Sequence, residues 1–374
     1  MGVRYSDKIV KAFFSLVSSG LWEKEPFLST IGRIDYAEVF KLAKEQSVLG
    51  LALAGLEYSD VKPPKELLLQ WIGEVQMVEQ QNRAMNTFIA ELIEKFRKIG
   101  VYALLVKGQG IALSYEKPLW RSCGDVDFFL SEDNYLNAKS FLMPMAEHVE
   151  QEWVTSKHLG MTIEGWTVEL HGSLRGSLSS KVNSILDEIK QDTFLWGNVR
   201  SCFINKAQVF LLGIENDIIY VFCHFLNHFY KGGIGLRQIC DWCRLLYTNK
   251  DSLNYRLLES RIWKMGLMSE WKAFGALAVE YLGMPVDAIP FYSNSTKWKK
   301  KADRIVKFVL VTGNFGHNRD MSYYSKYPYL IRKCVSMGRR ISDLINHAKI
   351  FPLDSLRFFP KIMFNGVRSA MRGE

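Results

Sequence analysis

Two aspartates two positions apart, Asp125 and Asp127, sit in the run Gly124-Asp125-Val126-Asp127-Phe128, and a third acid, Glu169, sits in Val168-Glu169-Leu170-His171. On a strand successive side chains alternate faces, so Asp125 and Asp127 point the same way while Val126 and Phe128 face the core. Asp-x-Asp alone is common; a third carboxylate on a second strand makes a ligand set. Three convergent carboxylates suit hard divalent cations, and the expectation is a pair of Mg²⁺ ions, with Mn²⁺ as a substitute. That chemistry is phosphoryl or nucleotidyl transfer. The competing reading is that these are strand-end acids pointing into water.

Other residues extend the candidate site. Lys107-Gly108-Gln109-Gly110 follows a β-prone run and reads as a glycine turn. Gly108 lets the backbone approach a phosphate without a Cβ in the way, and a helix after it offers N–H donors and the positive end of its dipole. Lys107 would neutralise a triphosphate as a point charge and Arg121 as a planar fork. The plainer reading is a turn glycine beside two surface cations. His171 shares the face of Glu169 and either orients that carboxylate, meets the substrate or is a satisfied structural residue. His158, on the neighbouring strand, is a weaker candidate. His224, His228, Cys240 and Cys243 invite a zinc reading, but Cys-x-x-Cys in a helical pattern lacks the knuckle turn of structural zinc sites. Buried thiols and a helix histidine pair are expected there instead. Arg237 and Asp241, at i,i+4, are expected to form an ion pair along one helix.

These residues need a scaffold. Ser6 and Asp35 read as helix N-caps, and Pro64 to Ile99 carries Phe88, Ile89, Leu92, Ile93 and Phe96 at helical spacing, so residues 1–99 read as a helical region. Residues 100–180 read as a compact α/β unit: a strand from Val101 to Val106, the glycine turn with a short helix through Tyr115, a strand from Asp125 to Leu130, and a helix from Ser131 to about Met143. Strands at Val149–Val154, His158–Ile163 and Trp166–His171 follow, the last two joined by a tight turn at Glu164-Gly165. Residues 181–296 read as helical, with Ile218, Phe222, Phe225 and Phe229 as one buried stripe. Residues 297–374 read as a basic helical region, with two helices after Gly313-Asn314-Phe315-Gly316.

The chain of 374 residues is 48% hydrophobic and 13% aromatic, ample for packed cores and against dominant disorder. No apolar run reaches the roughly 18 residues of a membrane span, and no signal peptide is read, so a cytoplasmic protein with reduced cysteines is expected. The net charge of +9 is concentrated at one end: from Lys297 onward there are 17 Lys and Arg against 5 Asp and Glu. Such a region could meet RNA, an acidic partner or an anionic membrane surface, or be a solvated helical face. Its aromatics, Tyr323, Tyr324, Tyr327, Tyr329, Phe351, Phe358 and Phe359, read more readily as core than as a stacking platform.

The succession Leu105-Val106-Lys107-Gly108, Arg121, Gly124-Asp125-Val126-Asp127-Phe128 and Val168-Glu169-Leu170-His171 resembles the uncharacterised-nucleotidyltransferase family of the polymerase-beta-like nucleotidyltransferase superfamily. It also looks like the toxin-type nucleotidyltransferases with Lys-Gly followed by Arg-x-x-x-Asp-x-Asp. The resemblance is strongest over residues 80–175, with looser echoes at His224, His228, Arg237, Asp241 and Gly313 to Gly316. It implies an α/β (α+β) fold, a short mixed sheet embedded in N- and C-terminal helical regions. It implies Mg-dependent transfer of an NMP group from an NTP, ATP-binding included, to a hydroxyl acceptor with release of pyrophosphate. On this reading Asp125, Asp127 and Glu169 are catalytic and metal-binding, and Lys107, Gly108, Arg121, Gly124 and His171 bind the nucleotide. The acceptor is left open among a small molecule, a protein and an RNA. The loop between Gly108 and Asp125 is longer than the superfamily's usual one, whose first turn carries Gly-Ser or Gly-Gly. The alternatives are a non-catalytic nucleotide-binding regulatory protein that retains the fold, or an RNA-binding module driven by the basic region.

Overall fold

The computed structural model describes residues 5–153, 157–314 and 328–371. The N-terminal region is helical as expected: α1 (Asp7–Trp22), α2 (Tyr36–Glu45), α3 (Leu49–Glu57) and the long α4 (Lys65–Lys98). Asp35 caps α2 by accepting from the Ala37 and Glu38 amides, whereas Ser6 precedes α1 without a side-chain cap. Phe88, Ile89, Leu92, Ile93 and Phe96 of α4 are buried against the sheet.

Next come β1 (Leu104–Val106), the one-turn α5 (Gly108–Ala112), a 3-10 turn at Pro118–Trp120, β2 (Asp125–Phe129) and α6 (Glu132–Leu142). The short β3 (His148–Val149) precedes β4 (His158–Ile163) and β5 (Trp166–His171), whose bounds match the expected strands. Glu164 and Gly165 both have positive φ, 52° and 76°, the backbone a two-residue hairpin turn demands.

The helical reading of residues 181–296 is corrected in one place. After α7 (Ser180–Phe194) the chain forms a hairpin of β6 (Val199–Ile204) and β7 (Ala207–Leu212). Val199, Cys202, Phe203, Ile204, Val209 and Phe210 favour strands, and Asn205 at φ 52° turns the chain. β7 pairs in parallel with β1, giving a seven-stranded mixed sheet in the order β3-β4-β5-β2-β1-β7-β6. Helix resumes with α8 (Ile214–Lys231), α9 (Leu236–Asn249), α10 (Tyr255–Met265), α11 (Met268–Glu280), α12 (Thr296–Thr312), α13 (Tyr329–Ala348) and α14 (Pro352–Met371). The protein is thus α+β, a mixed sheet embedded in helices.

One sheet face, with Val126, Phe128, Val168 and Leu170, packs on α4 and α6. The other, with Leu104, Val106 and Phe129, joins the larger core of α7, α8 and the remaining helices. Ile218, Phe222, Phe225 and Phe229 of α8 are all fully buried there, and Phe222 packs on Trp242, Trp271 and Phe274. Phe351 and Phe358 are buried against Tyr230, in keeping with the core reading of these two aromatics. Tyr323, Tyr324 and Tyr327 lie outside the described residues. Among those residues no helix is long and apolar enough to cross a membrane.

The C-terminal helices meet a buried acid. Glu270 of α11 accepts a hydrogen bond from Tyr230 at 2.9 Å, and burial, aided by the nearby Asp354 carboxyl, pushes it up to about 8. The folded protein keeps a proton there that the unfolded chain releases near 4.5. Stability from this group is therefore whole below about pH 4.5 and is lost as the pH rises through about 8. The melting temperature should fall between about pH 5 and about pH 8.5, and Glu270→Gln, which cannot ionise, should flatten that fall.

Candidate active site

β2 lies between β1, antiparallel to it, and β5, parallel to it, in a register that sets Asp127 beside Glu169 and Phe129 beside His171. Side chains two residues apart share a face, so Asp125, Asp127, Glu169 and His171 all project from the same side of the sheet. Asp125, Asp127 and Glu169 each offer a carboxylate oxygen within 4.8 Å of the others. A second group with that property, His158, Glu169 and His171, shares the glutamate.

The cluster is held by a lysine and two histidines. Asp127 is 1% exposed, and its Oδ1 receives Lys107 Nζ at 2.5 Å and His171 Nε2 at 2.7 Å. Its Oδ2 is buried with no hydrogen-bond partner. Burial, with the Asp125 and Glu169 carboxylates beside it, pushes the Asp127 carboxyl up against the pull of Lys107. Glu169 accepts from His158 at 3.1 Å and from His171 at 3.3 Å. Burial alone would raise the Glu169 carboxyl, but these hydrogen bonds and the Lys107 charge hold it well below the usual carboxylate range. Burial likewise opposes the charged form of His171, yet its bonds to Asp127 and Glu169 prevail and raise it. The result is an ionised Glu169 and a buried, undercompensated Asp127.

Lys107 reaches Asp127 from an unusual backbone. Its φ of 57° and ψ of −148° lie in a region that essentially only glycine adopts without strain, at a cost of about 1–3 kcal/mol. Gly108 follows with φ 40°, and a Cβ there would lie 3.1 Å from Cys123 Sγ. The turn thus packs directly against the loop that delivers the acids. α5 is a single buried turn, a much weaker dipole than a full helix. Gly124 has open space where a Cβ would stand.

Arg121 belongs to a different constellation. Its Nε and Nη2 each donate at 2.7 Å to the two oxygens of Asp241, both side chains being buried. The ion pair expected between Arg237 and Asp241 is therefore corrected: Asp241 is taken by Arg121 and by the Tyr115 hydroxyl, while Arg237 donates to the Ser122 carbonyl. Asn82 of α4 holds the same loop from the other side, donating to the Leu119 and Arg121 carbonyls at 2.7 and 2.8 Å and accepting from Gln109 at 2.7 Å. The loop preceding the acids is clamped between α4 and α9.

α8 supplies residues that the sequence left unassigned or only tentatively grouped. Tyr220, His224 and His228 recur once per turn, and the Nε2 atoms of the histidines lie 3.1 Å apart. Burial first, then the Lys107 charge, push His224 well below its ordinary range and His228 down to about 4, so both imidazoles are neutral. The Tyr220 hydroxyl is raised chiefly by burial and then shaped by Lys107, Asp127 and Glu169. This face of α8 is within electrostatic reach of the acids, and Asn227 ties the helix to the segment after β5 by accepting from the Ser177 amide at 3.2 Å. The i,i+4 spacing of Tyr220, His224 and His228 was the available signal. Cys240 and Cys243 are buried thiols.

A mixed sheet presenting three carboxylates and a lysine on one face, with helices on either side, defines an α+β protein with a cluster of acids on its sheet. The profile described as uncharacterised nucleotidyltransferase matches residues 32–283, about two thirds of the chain, and the chain belongs to that family; it is a nucleotidyltransferase. The match takes in Lys107, Arg121, the three acids, α8 and Asp241. No curated protein and no solved structure matches the chain.

If Asp241 neutralises Arg121, then Asp241→Ala strands a buried guanidinium and should lower the unfolding free energy by about 3–5 kcal/mol in urea titrations. Arg121→Met combined with Asp241→Leu should lose much less than the two single changes added together.

Proposed function

We propose that the protein transfers a nucleoside monophosphate from an NTP, ATP among the candidates, to a hydroxyl acceptor. The acceptor hydroxyl gives up its proton to solvent as its oxygen bonds to the α-phosphorus, the bond to the bridging oxygen breaks, and pyrophosphate leaves with that electron pair. The observation that carries this reading is the buried Oδ2 of Asp127, unpartnered and beside Asp125 and Glu169. A buried carboxylate oxygen without a partner is costly, and a divalent cation would satisfy it. Asp125, Asp127 and Glu169 fit a pair of Mg²⁺ or Mn²⁺ ions. When bound, such ions neutralise phosphate charge and make a hydroxyl easier to deprotonate.

The chain's own groups divide the remaining work. Glu169, held ionised by two histidines, suits ligation better than storage of a proton. His171 fixes the orientation of both Asp127 and Glu169, and His158 secures Glu169 from β4. Lys107 is poised to exchange its contact with Asp127 for a phosphate oxygen once that carboxylate is otherwise compensated. Gly124 leaves open space beside Asp125, and Gly108 lets the turn pack closely against Cys123. Arg121 acts through position, anchoring the loop that carries Asp125. The hydroxyl can come from a small molecule, a protein or an RNA.

Calorimetry with ATP and Mg²⁺ tests the assignment. Asp125→Ala and Asp127→Ala should each weaken Mg²⁺-dependent ATP binding by about tenfold or more, the loss of one charged ligand. Label transfer from α-labelled NTPs in cell extract should disappear with either change. Binding and transfer equal to the parent's would remove the metal-assisted reading.

A further inference from the structure

A cavity bounded by α1, α3, α9 and the loop that leads to Asp125 spans about 500 Å³ with the space open to solvent included. α3 lines it with Val48, Leu51 and Ala54, and the loop adds Trp120, so much of its wall is apolar. Its three cations are not equivalent. Lys117 is paired with Glu57 and lies over the Trp120 ring, and Arg121 is neutralised by Asp241. Arg237 donates from Nη1 to the Ser122 carbonyl, its Nε is buried without a hydrogen-bond partner, and no carboxylate among the described residues pairs with it. Ser122 lies three residues before Asp125, so at most about 11 Å of chain separates this anchor from the first acid. Cys123, which donates to the Asp125 carbonyl at 3.4 Å, is within electrostatic reach of Arg237 and of both aspartates.

The charges give the cavity a direction. The Arg237 amide donates to the Gln46 carbonyl at 3.4 Å, which sets this residue at the start of α3. Tyr58, about 15 Å further along that helix, is within electrostatic reach of Glu23 and Glu116, which also line the cavity. An anionic group is drawn to the Arg237 end and repelled from the other. One uncompensated guanidinium suits one carboxylate, and the apolar wall suits an aliphatic or aromatic body. RNA would bring a run of phosphates for which the two paired cations are already taken. We propose that this cavity holds the acceptor and that the acceptor is a small hydroxy acid, its apolar body on α3 and Trp120, its carboxylate on Arg237 and its hydroxyl turned toward Asp125. The hydroxyl oxygen, not the carboxylate, bonds to the α-phosphorus as pyrophosphate leaves and the proton passes to solvent. The reaction rests on the transferase reading above; the binding rests on the cavity alone.

Calorimetry on the full-length chain, without metal or ATP, compares phenyllactate with phenyllactamide, which lacks the charge. The acid should bind at least about tenfold tighter, the worth of one charged hydrogen bond, and Arg237→Gln should erase the difference. Ala54→Leu, which narrows the apolar wall, should weaken both probes and carries the test should Arg237→Gln fail to fold. In a cell extract with α-labelled ATP and Mg²⁺, label should pass into the fraction that crosses a membrane retaining protein and RNA, and Arg237→Gln should lower that transfer by about tenfold or more. Equal binding of acid and amide, binding untouched by Ala54→Leu, label confined to retained protein or RNA, or a loss of Mg²⁺-dependent ATP binding in Arg237→Gln as large as its loss of transfer would each overturn the proposal. Parental phenyllactate binding by a protein whose ATP binding ignores Asp125→Ala would instead remove the transferase reading and leave the cavity's specificity standing.

Discussion

The acid cluster depends on the parallel pairing of β2 with β5 in one particular register. That register sets Asp127 next to Glu169 in a largely buried sheet, where two carboxylates repel and neither can be solvated freely. A slip of one residue would turn Glu169 toward the α4 face and destroy the cluster. The arrangement persists because contacts to these carboxylates arrive from three strands: Lys107 from the end of β1, His158 from β4 and His171 from β5 itself. The strained backbone at Lys107 makes sense in this light. It directs the ammonium to the one carboxylate that has the least water to answer its charge.

The helical regions do more than cover the sheet. α4 contributes Asn82 and α9 contributes Asp241, and together they grip the loop from Leu119 to Arg121 that leads into the acid pair. α8 brings Tyr220 and two neutral histidines to the same electrostatic neighbourhood as Lys107. The geometry around the acid cluster is therefore a property of elements far apart in the chain. The family match, which runs well beyond the sheet on both sides, has the same extent.

Much of this was legible in the sequence, for reasons that can be stated residue by residue. Period-two alternation around Asp125 and Asp127, and again around Glu169, located the strands and the shared face of the acids. The Glu164-Gly165 turn located the hairpin between β4 and β5. Long-range partnerships were not legible: nothing local to Arg121 reveals Asp241 as its partner. Arg237 looked like the partner of Asp241 because helical spacing is visible and tertiary competition is not. The β6–β7 hairpin was hidden because short apolar runs, flanked here by a polar Asn-Lys pair, suit a buried helix and a strand equally well.

The link between Arg121 and Asp241 joins positions 120 residues apart. A protein cut back to its sheet would retain every acid yet lose the anion that keeps a buried guanidinium neutralised. The loop ahead of Asp125 would then be free to swing. The seating of that loop thus rests on a helix more than a hundred residues further along, and during synthesis the loop can be pinned only after α9 has emerged.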